Sequence, residues 1–223
     1  MSPLTHQTAA ESTSSTLHLT QILVSYDSAV RLLKIRDSYD WHQRVWEAFA
    51  GRDGEKRDFL IRVDRKEEAY RVLILSPSTP KKPDWCPTDC FGTKIIPDDY
   101  FHHERYRFSL LANPTKKMRV DNPDGTRKKN GRRVPLTRRE DLIDWLQRKA
   151  EAGGFSVNAE SLRTIPRGRE FFHKPGAHGT HTAVEFQGEL SVREPAQFRA
   201  TVAAGIGTAK AFGFGLLALS PLS

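Results

Sequence analysis

The most constraining feature of the sequence is that one order of secondary-structure signals occurs twice within 223 residues. In the first half, the β-branched run Leu17 to Ser25 predicts a strand, and the acidic start at Asp37 opens a helix that reaches about Ala50. Two further runs, Phe59 to Val63 and Tyr70 to Leu75, predict a hairpin. A proline-rich loop or short helix and a short closing strand complete a β-α-β-β-(loop or helix)-β order.

The second half repeats this order with clearer helix signals, including a second helix before its last strand. Thr137 and Glu140 have the spacing of a capping box, and Pro195 suits the first turn of a later helix. The predicted elements are a strand at Tyr106–Ala112, a helix through Lys149, strands at Ser161–Phe172 and Thr182–Val192, a helix through Val202, and a strand at Phe212–Leu219.

The β-α-β-β-α-β order is the ferredoxin-like arrangement, which RNA-recognition modules share. We therefore predict an α+β protein with two tandem ferredoxin-like (RRM-like) domains, at residues 17–98 and 99–223. Residues 1–16 are rich in Ser and Thr and are expected to form a disordered tail. The second domain contains a basic loop and a glycine-rich loop.

The positive charge of the chain is concentrated in one segment. The net charge is +8, and residues 116–139 alone contain ten basic and two acidic residues. A field confined in this way is typical of a polyanion-binding face, although a solvated loop is the alternative. The candidate RNA-binding residues here are Lys116, Lys117, Arg127, Lys128, Lys129, Arg132 and Arg133.

The glycine-rich stretch near the end of the chain also suggests phosphate contacts. It is not a dinucleotide fingerprint, because no strand-helix unit with a later acidic residue follows it. Glycines let backbone amides approach phosphates, and a lysine adds charge, although a packing turn is the alternative. The candidate residues are Gly205, Gly207, Lys210, Gly213 and Gly215.

Three motifs in this order resemble the CasE family, the repeat-processing CRISPR endoribonucleases of type I-E Cascade. They are Tyr39-Asp40-Trp41-His42, Leu111-Ala112-Asn113-Pro114-Thr115-Lys116, and Gly205-Ile206-Gly207 followed by Gly213-Phe214-Gly215. The resemblance implies an enzyme that cuts precursor CRISPR RNA beside the repeat hairpin and stays bound with the other Cascade subunits. It also implies a basic strand pair against the RNA stem, formed by Arg163, Arg167, Arg169 and Lys174; an exposed charged hairpin is the alternative.

The resemblance makes His42 the main acid/base residue and Tyr39 its partner. The two positions are three apart, so they share one face near the positive end of the helix. RNA supplies its own nucleophile, the 2′-hydroxyl, so a base, an acid and positive charge suffice and no metal or cofactor is expected. The alternatives are that both residues cap the core, or that the protein is a non-catalytic RNA-binding scaffold subunit.

Two other histidine groups are weaker candidates, and the chain has few cysteines. The adjacent His102 and His103 do not fit the usual ligand spacing for a zinc site with Cys86 and Cys90. His173, His178 and His181 are expected to decorate the tip of a hairpin. We therefore predict no metal. No apolar run has the length of a membrane helix, and two cysteines are too few for a disulfide framework. A cytoplasmic protein without a membrane partner is expected.

Overall fold

The computed structural model describes residues 16–52, 54–119 and 131–222. Most of the predicted tail, together with Arg127, Lys128 and Lys129, therefore lies outside the described residues. The helices are α1 (Ser38–Trp46), α2 (Arg139–Ala152) and α3 (Pro195–Ala204). The strands are β1 (Leu17–Ser25), β2 (Leu60–Arg65), β3 (Ala69–Ser76), β4 (Phe91–Ile96), β5 (Arg105–Ala112), β6 (Thr115–Met118), β7 (Arg132–Pro135), β8 (Phe155–Val157), β9 (Arg163–Lys174), β10 (Ala177–Val192) and β11 (Leu217–Pro221).

The first sheet has the order β2-β3-β1-β4, with antiparallel neighbours. Alternate side chains such as Ile22 and Ile61 point to one face, where they pack with Trp41 and Val45 of α1. This alternation is expected of a strand whose two faces meet different surroundings. The opposite face contributes Leu60 and other leucines to the core of the second domain.

The second sheet has the order β11-β5-β10-β8, and β9 also pairs with β10. Both sheets therefore have the strand order of a ferredoxin-like fold, with the helices α2 and α3 packed on the second sheet through buried residues such as Leu146 and Phe198. This confirms the predicted α+β fold class. The predicted division at residues 98 and 99 remains a prediction, and it lies in the 3-10 turn Asp98–Phe101 between the two sheets.

Strands β6 and β7 form a small antiparallel hairpin that the sequence analysis did not predict. Two local predictions were wrong. Helix α2 has Arg138 as its N-cap without a side-chain cap bond, so the capping box at Thr137 is not formed. The last strand begins at Leu217 rather than Phe212, because Gly213 and Gly215 have φ values of 89° and 91°, which are incompatible with an extended strand.

A buried ionic cluster joins the two domains. Arg62 on β2 donates to the Glu185 carboxylate on β10 (3.0 Å) and to the Ser109 hydroxyl on β5 (2.9 Å). The side chains of Arg62 and Glu185 are each only 7% exposed. Since buried charges are tolerated only when they are paired and hydrogen-bonded, this cluster fixes the relative position of the two sheets. In the described part of the chain, the helices are too short or too polar to cross a membrane.

Candidate active site

Tyr39 and His42 lie on one face of α1, close to its beginning. Asp37 is the N-cap, and its Oδ1 accepts hydrogen bonds from the backbone N–H groups of Tyr39 (2.8 Å) and Asp40 (3.2 Å). The cap satisfies donors that the first turn of a helix leaves free. The centroids of the Tyr39 and His42 rings are 6.5 Å apart, and both side chains are half-buried.

The protonation of His42 follows from its surroundings. The indole Nε1–H of Trp46 donates to Nε2 of His42 at 3.1 Å, so in the neutral ring the proton resides on Nδ1. Burial, and then the charge of Arg57, lower the pKa of His42 to about 4. The ring is therefore neutral at pH 7. Its Nδ1 is buried and lacks a hydrogen-bond acceptor within the described residues.

Arg57 is the residue at this site that sequence reasoning missed. Its guanidinium lies 5.7 Å from the centroid of the Phe59 ring, and the same ring is 6.1 Å from the His42 ring. Its Nη1 is buried without a partner among the described residues, and burial lowers its pKa. Arg57 belongs to a mixed-charge run that is typical of a solvated loop, so the sequence contains no signal for this role.

Lys210 brings a second cation to the same place. It lies in the 3-10 turn Lys210–Phe212, which packs beside α1 and β2, and its Nζ donates to the carbonyl of Ala204 at 2.6 Å. Burial lowers its pKa first, and the charges of Arg57 and Lys149 lower it further. Cations that repel one another beside a neutral histidine are an arrangement that a bound phosphate would stabilise.

Packing explains three of the four glycines in the glycine-rich loop. A Cβ at Gly205 would lie 2.8 Å from the Leu60 side chain, one at Gly207 would lie 3.1 Å from Trp145, and one at Gly215 would lie 2.7 Å from the Ile206 carbonyl. Gly213 alone faces open space. The packing alternative therefore accounts for the shape of the loop, and phosphate binding by its glycines remains a prediction.

The predicted basic residues form two groups, both on hairpins. Lys116, Lys117, Arg132 and Arg133 are exposed on the β6–β7 hairpin. On β9, Arg163, Arg169 and Lys174 are exposed. Arg167 is different, because its guanidinium pairs with Glu185 and its charge is thereby offset.

Two of the histidines considered as alternative metal ligands have different hydrogen-bond partners. His173 bonds to Asp37, whereas His181 bonds to the Asn113 amide at 3.1 Å. Over the described ranges, no group of three or more His, Cys, Asp or Glu side chains is placed to hold one ion.

The two half-buried aromatic side chains that can exchange protons, the nearby cations and the basic hairpins, on a tandem ferredoxin-like scaffold, are typical of the class of RNA-binding proteins with a candidate catalytic site. The chain belongs to the CRISPR associated protein family, which matches residues 17–221. It is 32% identical over 192 residues to the CRISPR system Cascade subunit CasE of Escherichia coli K12, covering 84% of this chain and 94% of that protein.

Two further comparisons involve a protein of Thermus thermophilus and a solved structure. The CRISPR-associated endoribonuclease Cse3 of that organism is 26% identical over 219 residues, covering 91% of this chain and 99% of Cse3. A structure of CRISPR endoribonuclease Cse3 bound to a 19-nucleotide RNA has a TM-score of 0.70 and 26% identity, and it covers 92% of this chain and all of that one.

Proposed function

We propose that this protein is a metal-independent endoribonuclease that acts in the cytoplasm on precursor CRISPR RNA. It cleaves beside the repeat hairpin, leaves a 2′,3′-cyclic phosphate, and stays bound to the mature RNA and to other Cascade subunits. The observation that carries the proposal is the Nδ1 of a neutral His42, which has no hydrogen-bond partner among the described residues. The Tyr39 ring lies 6.5 Å from the His42 ring, the charge of Arg57 acts on His42, and Arg57 in turn repels Lys210. The names of the CasE and Cse3 relatives support it.

The reaction needs a base, an acid and positive charge from the protein. The 2′-oxygen attacks phosphorus and loses its proton to a base, while the bond from phosphorus to the 5′-oxygen breaks and that oxygen receives a proton from an acid. His42 and Tyr39 are the two proton-transfer groups. Arg57 and Lys210 offset the charge that develops on the phosphorane oxygens.

The environment of His42 changes when RNA arrives. A phosphate next to the ring favours the imidazolium, so binding raises the pKa of His42 from about 4 towards neutrality. The ring then gains the ability to hold a proton at one stage of the reaction and to release it at another. Its lone pair on Nε2 becomes available only when the Trp46 bond opens, so this exchange accompanies catalysis.

The experiment is single-turnover cleavage of a repeat RNA, measured together with RNA affinity in EDTA. His42→Ala is expected to slow cleavage by about 10²-fold to 10⁴-fold with little change in affinity, and Tyr39→Phe is expected to cause a smaller defect. His102→Ala is the matched control, since His102 is exposed outside this site. Wild-type rates for His42→Ala contradict the assignment. Tight RNA binding without cleavage by the wild type favours the scaffold alternative.

A further inference from the structure

The distal part of the β9–β10 hairpin leaves the second sheet and reaches the first domain. Strand β5 pairs with β10 only from Val184 to Ser191, whereas β9 pairs with β10 out to Lys174 and Ala177. Among the described residues, the segment beyond Arg169 therefore has no neighbouring strand other than its own partner. It nevertheless contacts α1, through His173.

A single carboxylate makes this connection. Oδ1 of Asp37 caps α1, as described above, while Oδ2 accepts from the backbone N–H of His173 at 2.8 Å and lies 3.2 Å from the His173 Nδ1. The Asp37 side chain is only 9% exposed. Each oxygen thus serves a different element, so the hairpin and the first turn of α1 are held together by the same group.

The hairpin also contacts the 3-10 turn that contains Lys210. The Phe172 ring lies 4.5 Å from the Phe212 ring, which is in the same 3-10 turn as Lys210, and it stacks on His181 at 4.8 Å. His173 and Phe172 are adjacent and reach α1 and the Lys210 turn respectively. A displacement of the hairpin would consequently move both the start of α1 and the turn that contains Lys210.

We propose that Asp37 is a positioning residue that couples RNA-stem binding on the β9–β10 hairpin to the placement of Tyr39 and His42. This inference rests on the proposed function. Exposed Arg169 and Lys174 bind the RNA stem. The contacts of His173 with Asp37 make the position of Asp37 depend on that of the hairpin. Because Asp37 caps α1, the position of the turn that contains Tyr39 depends on it in the same way. Misplacement of reacting groups by about 1 Å costs about 10²-fold in rate, so a small displacement is sufficient for strong coupling.

The two roles of Asp37 are separable by substitution. Asp37→Ser retains a good N-cap oxygen but is too short to bridge to His173 as well. Asp37→Asn keeps one acceptor oxygen, which suits the N-cap, and places an amide NH2 donor towards the His173 N–H, so it loses the connection to the hairpin. His173→Ala removes only the ring contact and keeps the backbone bond. His178→Ala is the matched control, because His178 is exposed on the same hairpin with its ring 6.5 Å from the His173 ring.

The experiment compares single-turnover rates on a hairpin repeat RNA and on a single-stranded RNA with the same nucleotides around the cleavage site. We expect Asp37→Ser and Asp37→Asn to slow cleavage of the hairpin RNA by about 10-fold to 10²-fold, with affinity for that RNA within about twofold of wild type. Rates on the single-stranded RNA should be unchanged. His173→Ala should have a smaller effect, and His178→Ala should match wild type.

An equal loss of rate on both RNAs, or a matching loss of affinity, overturns the coupling and leaves Asp37 as a helix cap alone. Unchanged rates on both RNAs also overturn it. If the wild type cleaves neither RNA, the proposed function fails, and the coupling is decided by NMR. A stem RNA without the cleavage site should then shift the His42 Cε1 resonance in wild type and not in Asp37→Ser, and equal shifts in both proteins refute the inference.

Discussion

The neutral state of His42 predicts a specific dependence of stability on pH. Its pKa falls from the usual 6.5 to about 4 on folding, so the unfolded chain binds more protons between these two values. The free energy of unfolding therefore decreases as the pH falls through this window, and the contribution is complete above pH 6.5. A shift of this size corresponds to at most about 3 kcal/mol, and the partial exposure of the ring reduces the expected effect to about 1–2 kcal/mol.

Urea unfolding between about pH 7.5 and 4.5 measures this contribution when wild type is compared with His42→Gln. Glutamine does not titrate, and its side-chain oxygen can accept from the Trp46 indole, so the variant removes the charge change while it conserves a hydrogen-bond acceptor. Wild type should lose about 1–2 kcal/mol more than the variant over this range, because only wild type contains the titrating ring. His102→Gln, at an exposed position, should follow wild type.

Parallel stability curves for wild type and His42→Gln would refute this reasoning. The result would mean that the His42 ring gains protons equally in the folded and unfolded states, as an exposed histidine does. The burial of Nδ1 and the nearby charge of Arg57 would then have no electrostatic consequence, and the description of the site as prepared for an anion would be wrong.

Three other predictions concern the surroundings of the site. Burial alone would raise the pKa of Glu185, but hydrogen bonds and the Arg62 charge hold it at about 2. Glu185→Gln should therefore lower the free energy of unfolding by about 3 kcal/mol in urea titrations at pH 7. Wild type should lose this contribution as the pH falls from 4.5 towards 2. Gly215→Ala should cost about 1–3 kcal/mol in the same assay, more than Gly213→Ala, because only the former meets the Ile206 carbonyl. RNA affinity should fall steeply with salt concentration. Alanine substitutions on the β6–β7 hairpin should reduce the slope of log affinity against log salt concentration by somewhat under about 1 per lost phosphate contact. An unchanged slope would identify this hairpin as a solvated loop. The residues substituted are Lys116, Lys117, Arg132 and Arg133.

The ferredoxin-like fold was predictable because the order of its elements along the chain depends on local patterns. Alternation in Leu17–Ser25 and in the two following runs sets which face of each strand is buried, and short connections restrict the pairing of neighbours. The register of β6 with β7 was not predictable, because apolar and polar residues alternate only weakly in these strands and their side chains are mostly charged. The last strand was misplaced because its apolar run begins before the glycines that prevent an extended backbone.

The candidate site was predictable only in the part that α1 carries. Tyr39 and His42 are close in sequence, so helix geometry alone places them together. Arg57 meets His42 through the shared Phe59 ring, which depends on how β2 packs against α1. Asp37 was interpreted as a helix start, which the structure confirms for Oδ1, whereas the partner of Oδ2 is 136 residues away in the chain.

The most direct test of the central claim is cleavage of a repeat RNA in EDTA, with and without a 2′-deoxy substitution at the nucleotide before the scissile phosphate. Attack by the substrate's own 2′-oxygen predicts a 2′,3′-cyclic phosphate and a 5′-hydroxyl for the natural RNA, undiminished by EDTA. The deoxy RNA should bind with similar affinity and remain uncut. Cleavage of the deoxy RNA, or loss of activity in EDTA, would contradict the account.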